Sequence, residues 1–112
     1  MKIAISSKGK TLESSIDPQF GRCAFFIIAE IEGKKVKKIE ASENTSANQA
    51  GGAGILAAQK VAEQGARIVI TGNVGPRAMD VLKQFKIEAF QGEGKIKKVT
   101  EDFLENKLKK IQ

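Results

Sequence analysis

Residues Ile68 to Met79 read Ile-Val-Ile-Thr-Gly-Asn-Val-Gly-Pro-Arg-Ala-Met. A short β-branched run ends there in a glycine-bracketed loop, and Pro76 then opens a helical pattern. Such a junction points unpaired backbone N–H groups and the positive end of a helix dipole at one spot. Arg77 adds a guanidinium beside it, so the chemistry on offer is capture of an anion. A second junction, Gly51-Gly52-Ala53-Gly54, leads into the helical pattern Ile55 to Gln64, and two such mouths could share one ligand. A structural reading stands beside this one: the same glycines also serve tight turns and close helix-to-sheet packing.

Ile16-Asp17-Pro18-Gln19-Phe20-Gly21-Arg22-Cys23 is a third patch. It reads as a turn that delivers Arg22, a bidentate anion grip, and Cys23 to the start of an aromatic strand. Beside Arg22 the Cys23 thiolate would be favoured and could bind a soft metal; the alternative is a small buried hydrophobe. Asp17 most simply forms a turn with Pro18, and Asn44, Asn48 and Asn73 suit loops. The candidate anion-binding set is therefore Arg22, Cys23, Gly51, Gly52, Gly54, Gly72, Asn73, Gly75 and Arg77, with Cys23 as the metal ligand. Neither glycine segment ends in Gly-Lys-Ser/Thr or has Gly-x-Gly-x-x-Gly spacing, which argues against a Walker A or dinucleotide loop. No residue presents itself as a general base. The first strand, Lys2 to Ser6, lacks the carboxylates that metal-dependent phosphodiester cleavage needs.

These residues need a frame to position them. Ile3 and Ile5 mark a first strand, Ala24 to Ile31 a buried one, and Glu32-Gly33-Lys34 a turn. Val36 to Ala41 returns as a lysine-rich strand suited to a sheet edge, where Val36 and Ile39 break strict alternation and suggest a bulge. Ser42 to Gly52 is polar and aperiodic, a mobile loop by pattern. Ile55, Ala58, Val61 and Ala62 share a helix face that Gly65 ends, and Arg67 to Thr71 follows as a strand. Ala78, Val81, Leu82 and Phe85 repeat the helical logic after Pro76, and Ile87 to Phe90 is a short strand. Ile96, Val99 and Phe103 outline a last helix, with Leu104 and Leu108 near its end. The expectation is an α/β fold: one domain over 1–112, a five-stranded mixed sheet and about three helices. Ligands in such sheets gather at the carboxyl ends of strands.

The chain has 112 residues, a formal charge of +6, one cysteine and no histidine. A lone Cys23 cannot form an internal disulfide, and the His/Cys spacing of a structural zinc site is missing. There is neither a signal-peptide pattern nor a run of roughly 20 apolar residues, so the expected setting is cytoplasmic and without membrane. The basic excess favours acidic ligands in general. Lys34, Lys35, Lys37 and Lys38 carry no interleaved aromatic residue, which argues against nucleic acid and for a solvated face.

Three segments together, Ile16 to Cys23, Gly51 to Ile55 with Ala57-Ala58-Gln59, and Ile70 to Pro76, resemble the dinitrogenase iron-molybdenum cofactor biosynthesis family nearly from end to end. That family includes NifX-like proteins and the carboxyl-terminal domain of NifB. The resemblance implies a ribonuclease H-like topology and the binding or carrying of an anionic iron-sulfur or molybdenum-iron-sulfur cofactor, or its precursor. Cluster-assembly proteins would be the partners, and catalysis is not expected. A family role for histidine as cluster ligand has no position in this chain. The alternative reading is a phosphate, nucleotide or other small-anion binding regulatory module that works without metal.

Overall fold

A computed structural model describes residues 1–111. The chain runs β1 (Lys2–Ser7), β2 (Phe25–Glu32), β3 (Lys35–Glu43), α1 (Ala53–Glu63), β4 (Ala66–Thr71), α2 (Pro76–Gln84), β5 (Glu88–Gln91), α3 (Ile96–Leu104) and β6 (Lys109–Ile111). Its sheet has six strands in the order β3-β2-β1-β4-β5-β6, one more than the sequence suggested. The addition is β6, antiparallel to β5 through Ala89↔Ile111 and Gln91↔Lys109. Three residues rich in lysine carry no readable alternation. The stretch around Leu108 was assigned to the last helix, but α3 stops at Leu104 and Asn106 takes φ 59°, which turns the chain back toward the sheet.

β1 sits centrally, antiparallel to β2 and parallel to β4, while β4 and β5 are also parallel. The carboxyl ends of β1, β4 and β5 therefore lie at one end of the sheet, and α2 leaves β4 there. β3 runs antiparallel to β2 as an edge, joined through a two-residue turn at Gly33, where φ is 63°. Its register slips between Glu30 and Ile31, the irregularity expected from Val36 and Ile39.

Strand alternation divides the interior. Ala4, Phe26, Ile28, Val69 and Ala89 face α1 and α2 through Ala57, Ala58, Val61 and Leu82. Ile3, Ile5, Ile27, Ile68 and Ile70 face Ile96 and Val99 of α3 on the other side. Both faces of β1 and β4 are thus covered, as near-continuous apolar runs in parallel strands demand. Gly65 ends α1 with φ 85°, a left-handed turn that a Cβ would strain. Among the described residues no helix is long and apolar enough to cross a membrane.

Leu82 is wholly buried where α2 meets the sheet. Leu82→Ala is expected to cost about 2–5 kcal/mol, read as a lower midpoint in thermal or urea unfolding.

Candidate functional site

Both glycine junctions open into one cleft of about 520 Å³ at the carboxyl end of the parallel strands. Its lining comes from three segments: Gln19 to Arg22, Gly52 to Ile55, and Asn73 with Gly75 to Ala78. The helix starts touch across it, since a Cβ added to Gly54 would lie 3.1 Å from the Ala78 Cβ.

Neither helix is capped. α1 begins after Gly52, whose φ of 74° is left-handed, and α2 begins after extended Gly75 with Pro76 in its first turn. No side chain caps either end and neither first turn holds an acidic residue. The first intrahelical bonds are Leu56 N–H to Gly52 O at 3.0 Å and Met79 N–H to Gly75 O at 2.9 Å. The amides of Ala53, Gly54 and Ile55 in α1, and of Arg77 and Ala78 in α2, come before those bonds, and Pro76 has none to offer. Unpaired donors and two positive dipole ends thus border the same space. The Arg77 side chain is exposed at its edge.

A turn over residues 17–22 packs against both junctions. It is built locally by the Asp17 carboxylate, which accepts the Gln19 N–H at 2.9 Å. On one flank a Cβ at Gly21 would meet Gly54 N at 2.7 Å; on the other a Cβ at Gly72 would meet Pro18 Cα at 2.7 Å. Phe20 N–H also donates to Asn73 O at 3.3 Å, and Gln19 bridges Asn73. Beneath the turn, the buried Ser6 hydroxyl lies 2.7 Å from Asp17 O and 2.7 Å from the Thr71 hydroxyl, joining the ends of β1 and β4.

The predicted residues therefore divide. Arg22, Gly52, Gly54, Asn73, Gly75 and Arg77 line the cleft, whereas Gly51, Gly72 and Cys23 lie outside the lining. Gly72 instead admits the backbone of Pro18. Arg22 lines the cleft, but its Nη1 is committed to the segment before α1, donating to Ala47 O at 3.0 Å and to Gln49 O at 2.5 Å. Cys23 is fully buried, and its thiol donates to Phe20 O at 3.3 Å. Burial pushes the thiol up to about 12, so the expected stabilisation of a thiolate by Arg22 is corrected to a neutral, enclosed thiol. Among the described residues no group of three or more His, Cys, Asp or Glu side chains could hold a metal ion. The predicted set left out Gln19, Phe20, Gly21, Ala53, Ile55, Pro76 and Ala78, which also form cleft wall. Gly21 was the available signal, but a lone glycine does not reveal what approaches it.

The chain matches the family described as dinitrogenase iron-molybdenum cofactor over residues 1–106. It is 37% identical over 113 residues to an uncharacterized protein of Methanocaldococcus jannaschii, covering 100% of this chain and 92% of that one. The apo form of the orange protein from Desulfovibrio gigas superposes with a TM-score of 0.88 at 30% identity, covering 98% of this chain and 92% of that one. A Thermotoga protein proposed to be a NifB protein superposes with a TM-score of 0.82 at 29% identity, covering 97% and 91%.

Three outcomes are expected from this geometry. Gly72→Ala should lower the unfolding midpoint, because backbone rather than a flexible side chain meets the new methyl. Native Cys23 should resist alkylation until the protein unfolds. Because its folded pKa is raised from 9.0 to about 12, its contribution to stability is full below pH 9 and is lost as pH rises toward 12, where only the unfolded thiol ionises freely. Urea titrations of wild type and Cys23→Ala across that window check this: the variant should lose less stability.

Proposed function

The chain belongs to the dinitrogenase iron-molybdenum cofactor family, and on that premise we propose that it binds and carries an anionic iron-sulfur or molybdenum-iron-sulfur cofactor, or its precursor, during metal-cluster assembly. The observation that carries this reading is the pair of uncapped helix starts opening into one cleft that holds Arg77 and no acidic residue. The antiparallel placement of β2 and β6 in an otherwise parallel sheet supports a ribonuclease H-like topology.

The donor set favours a particular manner of holding. The lining includes no Cys, His, Asp or Glu, so a guest meets amide N–H groups and cations rather than metal ligands. A cofactor with its metals already satisfied by sulfide suits such a wall. About 520 Å³ falls within the roughly 300–1,000 Å³ of small-molecule sites, large for a single tetrahedral anion. Ala53, Ile55, Pro76 and Ala78 also bring carbon to the lining, which suits a polarisable, weakly hydrated thioanion better than strongly hydrated phosphate.

Magnitudes favour a carrier over a store. Two helix ends at up to about 2 kcal/mol each and charge-assisted bonds from Arg77 at about 1.5–3 fall short of the roughly 8 kcal/mol of micromolar binding, before association costs. Such a guest can leave when a better site is presented. The family and the donor set together favour transport without chemistry, with cluster-assembly proteins supplying and receiving the cargo.

Anaerobic titration with tetrathiomolybdate tests the reading, with orthophosphate and ATP as competitors. Arg77→Glu should weaken thiomolybdate binding by about tenfold or more, equivalent to about 1.4 kcal/mol. The same charge change at Lys38 on β3 should leave it within about twofold, well under that step. Equal losses from both variants, or tighter binding of ATP than of thiomolybdate, would instead favour general charge attraction or the nucleotide module.

A further inference from the structure

We propose that Arg22 is a positioning residue rather than an anion ligand: it clasps the segment between β3 and α1 so that α1 can present its free amides to the cleft. This deepens the anion-carrier reading and rests on it. The Nη1 donations to the carbonyls of Ala47 and Gln49 draw two partial negative charges toward a guanidinium at the cleft wall. A carbonyl left unpartnered beside the cleft would repel the guest that the helix ends attract, so engaging these two with the guanidinium offsets their partial charge and preserves the sign of the field. Charge-assisted bonds of this kind are among the stronger ones available to a surface segment.

The clasp belongs to a continuous tether. Asn44, 4% exposed, anchors the segment's start by donating from Nδ2 to Gly21 O at 3.1 Å and Cys23 O at 2.8 Å. The Ser46 hydroxyl lies 2.7 Å from Asn44 Oδ1 and 3.3 Å from the carbonyl of Ala53, the first residue of α1. Arg22 holds the middle. Beyond Gln49 come Ala50, Gly51 and Gly52, and neither glycine would meet a neighbour within 4 Å through an added Cβ. This glycine joint has little packing of its own to fix the approach to α1, so its order depends on the tether behind it. Gly21 in turn packs directly on Gly54 N, which places the clasping turn and the α1 amides in one rigid contact.

Hydrogen exchange without anion, followed by tetrathiomolybdate titration, tests this on wild type, Arg22→Lys, Arg22→Gln and Arg22→Ala. Arg22→Ala should raise exchange of the amides over residues 45–51 by about tenfold and weaken binding by a similar factor, with an unchanged thermal midpoint. Lysine keeps the charge but lacks the planar donor fork. Across the series, affinity should follow protection of the segment and not the charge at position 22. The proposal is overturned if Arg22→Lys restores affinity while the segment stays unprotected, or if Arg22→Ala leaves its exchange unchanged. Failure of the wild type to bind thiomolybdate would sink the carrier reading itself, while exchange without anion still decides whether Arg22 holds the segment.

Discussion

The structure depends on one steric constraint: a backbone turn must fit between two helix starts without separating them. The 17–22 turn does this because Gly21 faces the amide of Gly54 and Gly72 faces Pro18, each at a distance that excludes a Cβ. With those side chains missing, α1 and α2 bring their first turns into contact at Gly54 and Ala78. Their dipoles then reinforce each other across a common space, an arrangement that self-repulsion disfavours unless something negative enters. These glycines serve packing, and the packing sets the gauge of the cleft.

Electrostatics within that gauge is simple. Amides of Ala53 to Ile55 and of Arg77 and Ala78 lack intrahelical partners, and no carboxylate competes for them in either first turn. Arg77 contributes exposed charge at the edge of the cleft, while Arg22 commits its Nη1 to Ala47 and Gln49. Cys23, the residue with the most obvious affinity for metal, is enclosed under the turn as a neutral thiol. A wall built of N–H groups, cations and aliphatic carbon recognises the periphery of a guest. Such a wall offers no Cys, His, Asp or Glu ligand to a guest's metals, and the proposed carrier role rests on that feature.

Much of this was legible in the sequence because it rests on local backbone rules. Pro76 at a helix start, Gly65 at a helix end, Gly33 in a hairpin and the apolar runs of β2 and β4 follow from φ restrictions and periodicity. The convergence of the two mouths was legible because consecutive strand-to-helix junctions share one end of a parallel sheet. What was hidden lies in tertiary contact. A glycine shows that something comes close and not what, so Gly72 read as a binding residue when it faces Pro18. Arg22 showed its charge but not the carbonyls that occupy it, and the partner that orders the polar 44–52 segment is distant in sequence. β6, three residues with two lysines, is fixed by pairing with β5 and leaves no pattern of its own.

The central claim is that both helix starts meet the same anionic guest, and an amide-detected NMR titration with tetrathiomolybdate tests it most directly. The account predicts that the largest shifts fall together on Ala53, Gly54, Ile55, Arg77 and Ala78, with one shared saturation curve. Shifts spread instead over the lysines of β3, or confined to one helix start while the other stays silent, would contradict it.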